Sequence, residues 1–435
     1  MKYTLGIDLG TSYFKAGLFD AEGNLCGLGR VEVKKRIDNG IRCELAIEDF
    51  WRFLQQAIEQ AKAQAQAATG DIIAMGYSSQ ANTFVLLDEN DMPLTPLIVW
   101  SDGRAANIYH EVRTLWNLPH FLRVTALGID CPRELCINKL LWFQEHQRSI
   151  WDRTDKILTI CDYLVYGLTG RRVVDTGSTS LTGILDIHRA TWAAEALAAL
   201  HIEPDKLSKP VLSGTLAGAV TQKAFAAQLG VPVGIPMFLG SLDHYMAAVG
   251  AGLGTKAQAT VSLGTVVACV NHTPHFAPQK GICIAMAIAG RGYHQLAWDM
   301  NGAVALEWYN RTFCPELTIS QLVDAAASVS SDCNGLIAKP NANQYEGLQG
   351  FENIRKPHTH GHFARAIMQS VADTLKRLIG QLCPDKRPQC IAATGGGAQG
   401  RLWLDICATT LNAEVFAADC PEPACKGAAM MARNP

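Results

Sequence analysis

Apolar and polar positions along the chain alternate between a strand period and a helix period. Residues 3–20 read as two strands joined by a tight turn at Gly10-Thr11-Ser12. Ala21-Glu22-Gly23-Asn24 is the next turn and residues 25–33 a third strand, which predicts an antiparallel three-stranded meander. Phe50, Leu54, Ile58 and Ala61 form an apolar stripe in residues 47–68, the mark of an amphipathic helix facing a core. Residues 72–78 read as a buried strand with Gln80-Ala81-Asn82 at its carboxyl end, and residues 84–87 as a further strand. Leu97-Ile98-Val99-Trp100 leads into Ser101-Asp102-Gly103-Arg104. Residues 138–148 and 155–169 are expected to be helical, residues 176–182 a Ser/Thr/Gly-rich loop, and residues 195–200 part of another helix.

Past the middle, Pro236-Met237-Phe238-Leu239 reads as a strand end and Gly240-Ser241 as the turn after it. Ala247, Ala248 and Ala251 then recur at helical spacing until glycines stop the helix. Asp243 therefore falls in a first helical turn, where free backbone N–H groups and the dipole favour negative charge. A carboxylate at a strand-to-helix switch can accept a proton from a substrate hydroxyl. The alternative is an ordinary N-terminal helix residue contributing about 0.3–1 kcal/mol through the dipole. After Gly254 the pattern restarts. Residues 259–268 read as strand, turn, strand, a miniature of the opening hairpin, and residues 281–300 alternate toward further strands. Asn301-Gly302 begins a helix carrying Trp308, and Phe363, Ile367, Val371, Leu375 and Leu378 line a long helix over residues 361–382. A short apolar strand, Cys390-Ile391-Ala392-Ala393-Thr394, precedes the triple turn Gly395-Gly396-Gly397. A helix follows from about Arg401 to Leu411, and a small-residue helix over residues 426–431 ends the pattern.

A length of 435 residues favours two or more domains, and the restart places the expected division at 1–252 and 253–435. With 48% hydrophobic and 18% charged residues, large cores are expected and disorder is not. A formal net charge of −2 with no Lys/Arg cluster argues against nucleic acid as a partner. The N-terminal apolar run is too short for a signal peptide, and no stretch approaches the roughly 20 residues of a membrane span. A cytoplasmic protein without a membrane partner is therefore expected. Fourteen cysteines are scattered, the pairs Cys131 with Cys136 and Cys420 with Cys425 have C-x₄-C spacing, and no C-x-x-C occurs. Reduced, packed thiols are the simpler reading than zinc ligation.

The chemistry-bearing positions each admit two readings. The Gly10-Thr11-Ser12 turn offers backbone N–H groups, two hydroxyls and Lys15, with Asp8 beside it. Such a set can hold a cluster of anionic oxygens and a divalent cation, and it is also ordinary hairpin chemistry. Gln80 and Asn82 stand where α/β sheets bind ligands, or are simply polar loop residues. Asp102 and Arg104 are ligand contacts or a local ion pair. Three successive glycines after a strand permit close approach to a flat ligand or phosphate, but match neither G-x-G-x-x-G nor a Walker loop. In order along the chain, these features give the layout of two related α/β domains that clamp a nucleotide.

With that order in view, the sequence resembles the FGGY carbohydrate kinases of the actin and hexokinase-like ATPase superfamily over essentially its whole length. Gly6-Ile7-Asp8-Leu9-Gly10-Thr11-Ser12 is similar to the first phosphate motif and Trp100-Ser101-Asp102-Gly103-Arg104 to the sugar-side W-x-D-x-R. Asp162-Tyr163-Leu164 with Leu168-Thr169-Gly170 resembles the D-Y-L…L-T-G helix, and Gly240-Ser241-Leu242-Asp243 the segment of the catalytic base. Ser262-Leu263-Gly264-Thr265 resembles the second phosphate motif, and Gly395-Gly396-Gly397-Ala398 with Gly427-Ala428-Ala429 the adenosine motif and final helix. The resemblance implies an α/β fold of two actin-like (ribonuclease H-like) domains with a central cleft. The first would carry the sugar site and base, the second the nucleotide site.

It further implies ATP-dependent phosphorylation of a sugar or polyol hydroxyl, with ATP and Mg²⁺ as cofactors. Asp243 would be the base. Asp8 would hold Mg²⁺; Gly10, Thr11, Ser12, Lys15, Gly264 and Thr265 would hold the phosphates. Gly396, Gly397, Gln399 and Arg401 would line the adenosine site, and Gln80, Asn82, Asp102 and Arg104, with Asp243, would meet the substrate. The expected partners are a small sugar or polyol and a second copy in a possible homodimer. Three departures stand out. Ala81-Asn82 replaces the Met-His or Arg-Glu often found after the glutamine, residues 338–360 lack G-E-R-x-P, and the chain stops soon after Ala432. The alternatives are a non-catalytic sugar- or nucleotide-binding relative and an actin-like ATPase.

Overall fold

The structure is a computed structural model that describes residues 1–130 and 133–432. By contact the chain divides into two compact units. The first holds Met1–Gly250, Thr273–His294 and the C-terminal segment from Glu422; the second holds Ala251–His272 and Gln295–Pro421. The contiguous division expected at residue 252 thus differs in two places. Thr273–His294 and the last helix group with the first unit.

The first unit is built on a six-stranded sheet in the order Leu216–Ala219, Pro236–Leu242, Ile72–Ser79, Tyr3–Leu9, Tyr13–Phe19, Leu25–Glu32. The opening meander is antiparallel, whereas Tyr3–Leu9, Ile72–Ser79 and Pro236–Leu242 run parallel to one another. Tyr3–Leu9 is buried at every position, as a central strand covered on both faces requires. The helix Ile47–Ala65 lies against the meander with Phe50, Leu54, Ile58 and Ala61 buried, and Gln66 in the left-handed region ends it. Each of those large side chains contributes about 1.5–3 kcal/mol when taken from water. The last helix, Pro423–Met431, packs its small residues against Tyr3–Leu9 and the helix Asp243–Gly250.

The second unit repeats the local topology. Ala259–Leu263 pairs antiparallel with Val267–Thr273 and parallel with Cys390–Thr394, which pairs parallel with Glu414–Ala417. The helix His360–Leu382 buries Phe363, Ile367, Val371, Leu375 and Leu378 as its sequence pattern requires.

Three sequence expectations need correction. Residues 155–169 are not one helix: Lys156–Thr159 is a strand paired with Phe84–Leu87, and the helix runs only over Ile160–Thr169. Pairing with a buried neighbour overrides the local helical pattern there. The expected loop at 176–182 begins as a buried helical turn, Thr176–Thr179. The Asp175 side chain caps it, accepting from the Ser178 amide at 2.6 Å, and the hydroxyls of Thr179, Ser180 and Thr182 donate to nearby carbonyls. Finally, Gly240-Ser241 is no turn, because the strand continues to Leu242 through a register shift. Gly240 allows this: a Cβ there would stand 1.5 Å from the Tyr77 carbonyl oxygen.

Candidate active site

Asp8 is the penultimate residue of the buried strand Tyr3–Leu9 and is itself 5% exposed. Its Oδ1 accepts from the Ser78 hydroxyl at 2.8 Å, and Lys15 Nζ lies 3.5 Å from Oδ2. Burial pushes the Asp8 carboxyl up to about 6, against the pull of Lys15, and the negative charges of Asp243 and Glu422 add to the rise. Lys15 makes its shorter ion pair, 2.6 Å, with Glu422 at the head of the last helix. Burial alone would lower the Lys15 ammonium; Asp8 and Glu422 outweigh that and hold it above its ordinary value. Asp243 is the first residue of Asp243–Gly250, half-buried, directly after the strand, and its Oδ1 accepts from the His244 amide at 2.8 Å. One unit thus brings Asp8, Lys15 and Asp243 together beside the first turn.

The turn is held by the residues expected on the sugar side. Gln80 Nε2 donates to the Gly10 carbonyl at 3.3 Å, and the Thr11 hydroxyl donates to Gln80 Oε1 at 3.3 Å. Trp100 Nε1 donates to Thr11 Oγ1 at 2.8 Å, and Lys35 Nζ to the Thr11 carbonyl at 2.9 Å. Ser12 is exposed. Gln80 Oε1 also accepts from Thr83 Oγ1, and Thr83 Oγ1 in turn accepts from the Trp100 amide. The buried Lys139 ammonium donates to the carbonyls of Trp100 and Glu134 at 2.8 and 2.6 Å.

Asn82, Asp102 and Arg104 have their polar atoms engaged by the protein. Asn82, at φ 62°, donates to the Leu181 carbonyl and accepts from the Cys136 amide, each at 3.0 Å. Asp102 accepts from the Cys43 amide and from the Arg104 backbone and side chain. Arg104 reaches Glu44 as well, at 2.5 Å. Burial would raise the Asp102 carboxyl, yet these hydrogen bonds hold it below the ordinary range. The local ion pair foreseen as one reading of Asp102 and Arg104 is present.

In the second unit, the turn Gly264-Thr265 leaves Thr265 exposed, and the Gly264 carbonyl accepts from the Ala303 amide at 2.8 Å. Gly395, at φ 85° and ψ 174°, occupies backbone space that only glycine enters easily, and Gly396 has no atom within 4 Å of its Cβ position. A glycine turn after a parallel strand lets the backbone approach a ligand's flat face or phosphate closely. Gln399 is exposed, and the exposed Arg401 pairs with Asp405 on its own helix at 2.9 Å.

Sequence reasoning missed Glu422, Lys35, Thr83 and Lys139, and it named Trp100 only within a motif. Lys15 and Glu422 are 407 positions apart and Trp100 and Thr11 are 89 apart, so no local spacing announces either contact. Among the described residues, no group of three or more His, Cys, Asp or Glu could hold a metal ion. Cysteines 136, 420 and 425 are not joined in disulfides, and Cys131 lies outside the described residues. No helix among those residues is long and apolar enough to cross a membrane.

Residues 3–250 match the N-terminal domain model of the FGGY family of carbohydrate kinases, and residues 301–433 match its C-terminal domain model. A xylulose kinase of Lactococcus lactis is 27% identical over 99% of this chain and 87% of its own length. A gluconokinase of Bacillus subtilis is 24% identical over 99% of this chain and 86% of its own. Among solved structures, a xylulose kinase from Brucella ovis superposes with a TM-score of 0.86 at 26% identity, covering 99% of this chain and 89% of that one. Plasmodium falciparum glycerol kinase with ADP has the same fold, with a TM-score of 0.85 at 18% identity, 99% of this chain and 89% of that one. The chain belongs to the FGGY family of carbohydrate kinases.

Proposed function

We propose that this ATP-dependent carbohydrate kinase phosphorylates one hydroxyl of a small ketose, sugar acid or polyol, with Asp243 as the base. The observation carrying the proposal is the place of Asp243. It heads a helix directly after a parallel strand, and its charge is felt by the buried Asp8. The substrate oxygen would attack the γ-phosphorus, the bond from phosphorus to the bridging oxygen of ADP would break, and Asp243 would take the hydroxyl proton. In a loose transition state, orientation and charge stabilisation matter more than early proton transfer.

Asp8 fits a Mg²⁺ role by its chemistry: a buried carboxylate crowded by Asp243 and Glu422, with hard oxygen donors. The lack of a larger cluster among the described residues suits a cation usually held by one or two carboxylates, substrate phosphates and water. Bound there, Mg²⁺ would neutralise charge on the phosphates. In this reading Gly10, Thr11, Ser12, Gly264 and Thr265 hold the phosphates through amides and hydroxyls, and Gly396, Gly397, Gln399 and Arg401 border the adenosine. Lys15, committed to Glu422 and Asp8, adds positive charge nearby rather than a free donor. Gln80 and Asn82 border the substrate. Asp102 and Arg104 support that wall through their mutual ion pair. The proposed division of labour is substrate and base in the first domain, nucleotide in the second. A cytoplasmic location and a homodimer belong to the same proposal.

The relatives named for xylulose and gluconate point to a polyhydroxylated substrate without choosing between a ketose and a sugar acid. Coupled ADP release across a panel of ketoses, polyols and sugar acids tests the reading. Turnover that depends on one substrate class supports it; ATP hydrolysis indifferent to every member of the panel rejects it.

A further inference from the structure

The strand leading into Asp243 abuts a buried turn of the same unit. Tyr77, in the neighbouring strand Ile72–Ser79, is fully buried, and so is Asp175. The Tyr77 hydroxyl donates to Asp175 Oδ2 at 2.8 Å, while Asp175 Oδ1 caps the turn Thr176–Thr179 through the Ser178 amide. The Thr179 hydroxyl donates to the Asp175 carbonyl at 2.6 Å, and the Gly177 amide to Ser213 Oγ at 3.3 Å. The turn so fastened meets the end of the strand Pro236–Leu242 at Gly177. A Cβ on Gly177 would stand 1.7 Å from Ser241 Oγ and 2.9 Å from Ser241 Cβ.

Rotating the Ser241 hydroxyl away does not relieve that contact, because carbon atoms pack about 3.5–4.0 Å apart. A methyl group at 177 therefore moves either the turn or the strand by roughly half an ångström or more. The hydrogen bonds of Asp175 and Ser213 hold the turn, so the strand end yields. The helix Asp243–Gly250 is held as well, since Gly427 of the last helix meets it backbone to backbone: a Cβ there would stand 2.1 Å from the Met246 carbonyl oxygen. Between the displaced Ser241 and the held helix lies the junction Leu242-Asp243, which takes up the difference. We infer that Gly177 is a positioning residue for Asp243: having no side chain, it lets Ser241 seat against the turn, and that seat fixes where the strand passes into the helix carrying the base. This inference rests on the reading of Asp243 as the base.

Gly177→Ala, Ser241→Gly and the double variant are compared by coupled ADP release with saturating xylulose or gluconate. A misplacement of about 1 Å can cost about 10²-fold in rate, so Gly177→Ala should lower kcat about 10- to 100-fold while the KM for ATP stays within about twofold. Ser241→Gly removes both atoms the methyl would meet, so in that background the same substitution should cost less than about threefold. An unchanged kcat in Gly177→Ala, or a fall of equal size in both backgrounds, overturns the inference. If Gly177→Ala does not fold, Tyr77→Phe loosens the turn by one hydrogen bond. A roughly three- to tenfold fall in kcat at unchanged KM then supports the inference, and wild-type kcat with only a lower melting temperature overturns it. Crystal structures of the wild type and Gly177→Ala give a readout free of turnover: Asp243 should be displaced relative to Asp8, and coincident positions overturn the inference. Asp243→Asn, assayed alongside, separates the two readings. Full turnover in that variant rejects the base whatever Gly177 does, whereas lost turnover there with equal falls in both Ser241 backgrounds rejects this inference alone.

Discussion

Replacing Asp102 by Asn distinguishes a supporting wall from a direct substrate contact. The Asp102 side chain is fully buried, Arg104 is 5% exposed on its side chain, and Glu44 is 20% exposed. Asp102 accepts four hydrogen bonds, from the Cys43 amide at 2.7 Å and from the Arg104 amide, Nε and Nη2 at 3.0, 2.7 and 3.0 Å. An asparagine of the same shape keeps one acceptor oxygen and turns an NH₂ toward groups that are all donors. Removing one partner of a buried ion pair costs about 3–5 kcal/mol. Because Glu44 still faces Arg104, the lower end applies, about 3 kcal/mol. For a unit of this size, roughly 2 °C per kcal/mol gives a fall of about 6 °C in the first calorimetric transition. The KM for substrate should change less than the melting temperature implies, because the wall is loosened rather than stripped of a contact. A melting temperature within about 1 °C of wild type, with a large rise in substrate KM alone, refutes this reasoning and makes Asp102 a direct contact.

Further outcomes follow from the same geometry. Gly240→Ala brings a methyl group within 1.5 Å of the Tyr77 carbonyl in the central sheet, so it should cost at least the 1–3 kcal/mol typical of overpacking, seen as lost soluble yield or a lower urea midpoint. Gly395→Ala forces a methyl into a glycine-only conformation 2.9 Å from the Leu263 backbone, which should raise the KM for ATP and cost about 1–3 kcal/mol in stability. Burial pushes the Asp162 carboxyl to about 7, against a hydrogen bond from the Thr159 hydroxyl. Between about pH 4 and 7 the native state therefore holds a proton that the unfolded state has released, so this residue makes stability fall as pH rises through that window. Denaturant titrations of Asp162→Asn should show a shallower decline across the same range, and an unchanged slope counts against the assignment.

Much of this molecule is legible in the sequence, and the rest is hidden for physical reasons. The stripe of Phe50, Leu54, Ile58 and Ala61 and the buried strand before Gln80 follow from periodicity, because one face of each element must leave water. The glycine turn at 395–397 is equally plain, since few other residues tolerate that backbone. Lys156–Thr159 was unreadable as a strand because its partner, Phe84–Leu87, lies some 70 positions away and the pairing decides the conformation. The candidate residues themselves were readable as types, but not their engagements. Gln80 bonds to Thr11 and Thr83, Asp102 bonds to Arg104 and Cys43, and Lys15 bonds to Glu422. These are contacts made by tertiary packing, with no spacing rule to announce them.

The central claim is that Asp243 accepts the proton of the attacked hydroxyl. Substrate-dependent ADP release by Asp243→Asn, set beside ATP binding measured by calorimetry on the same preparation, tests it most directly. The account predicts a fall of about 10²- to 10⁴-fold in kcat, with ATP affinity kept. Substrate-dependent turnover within a few-fold of wild type would contradict it.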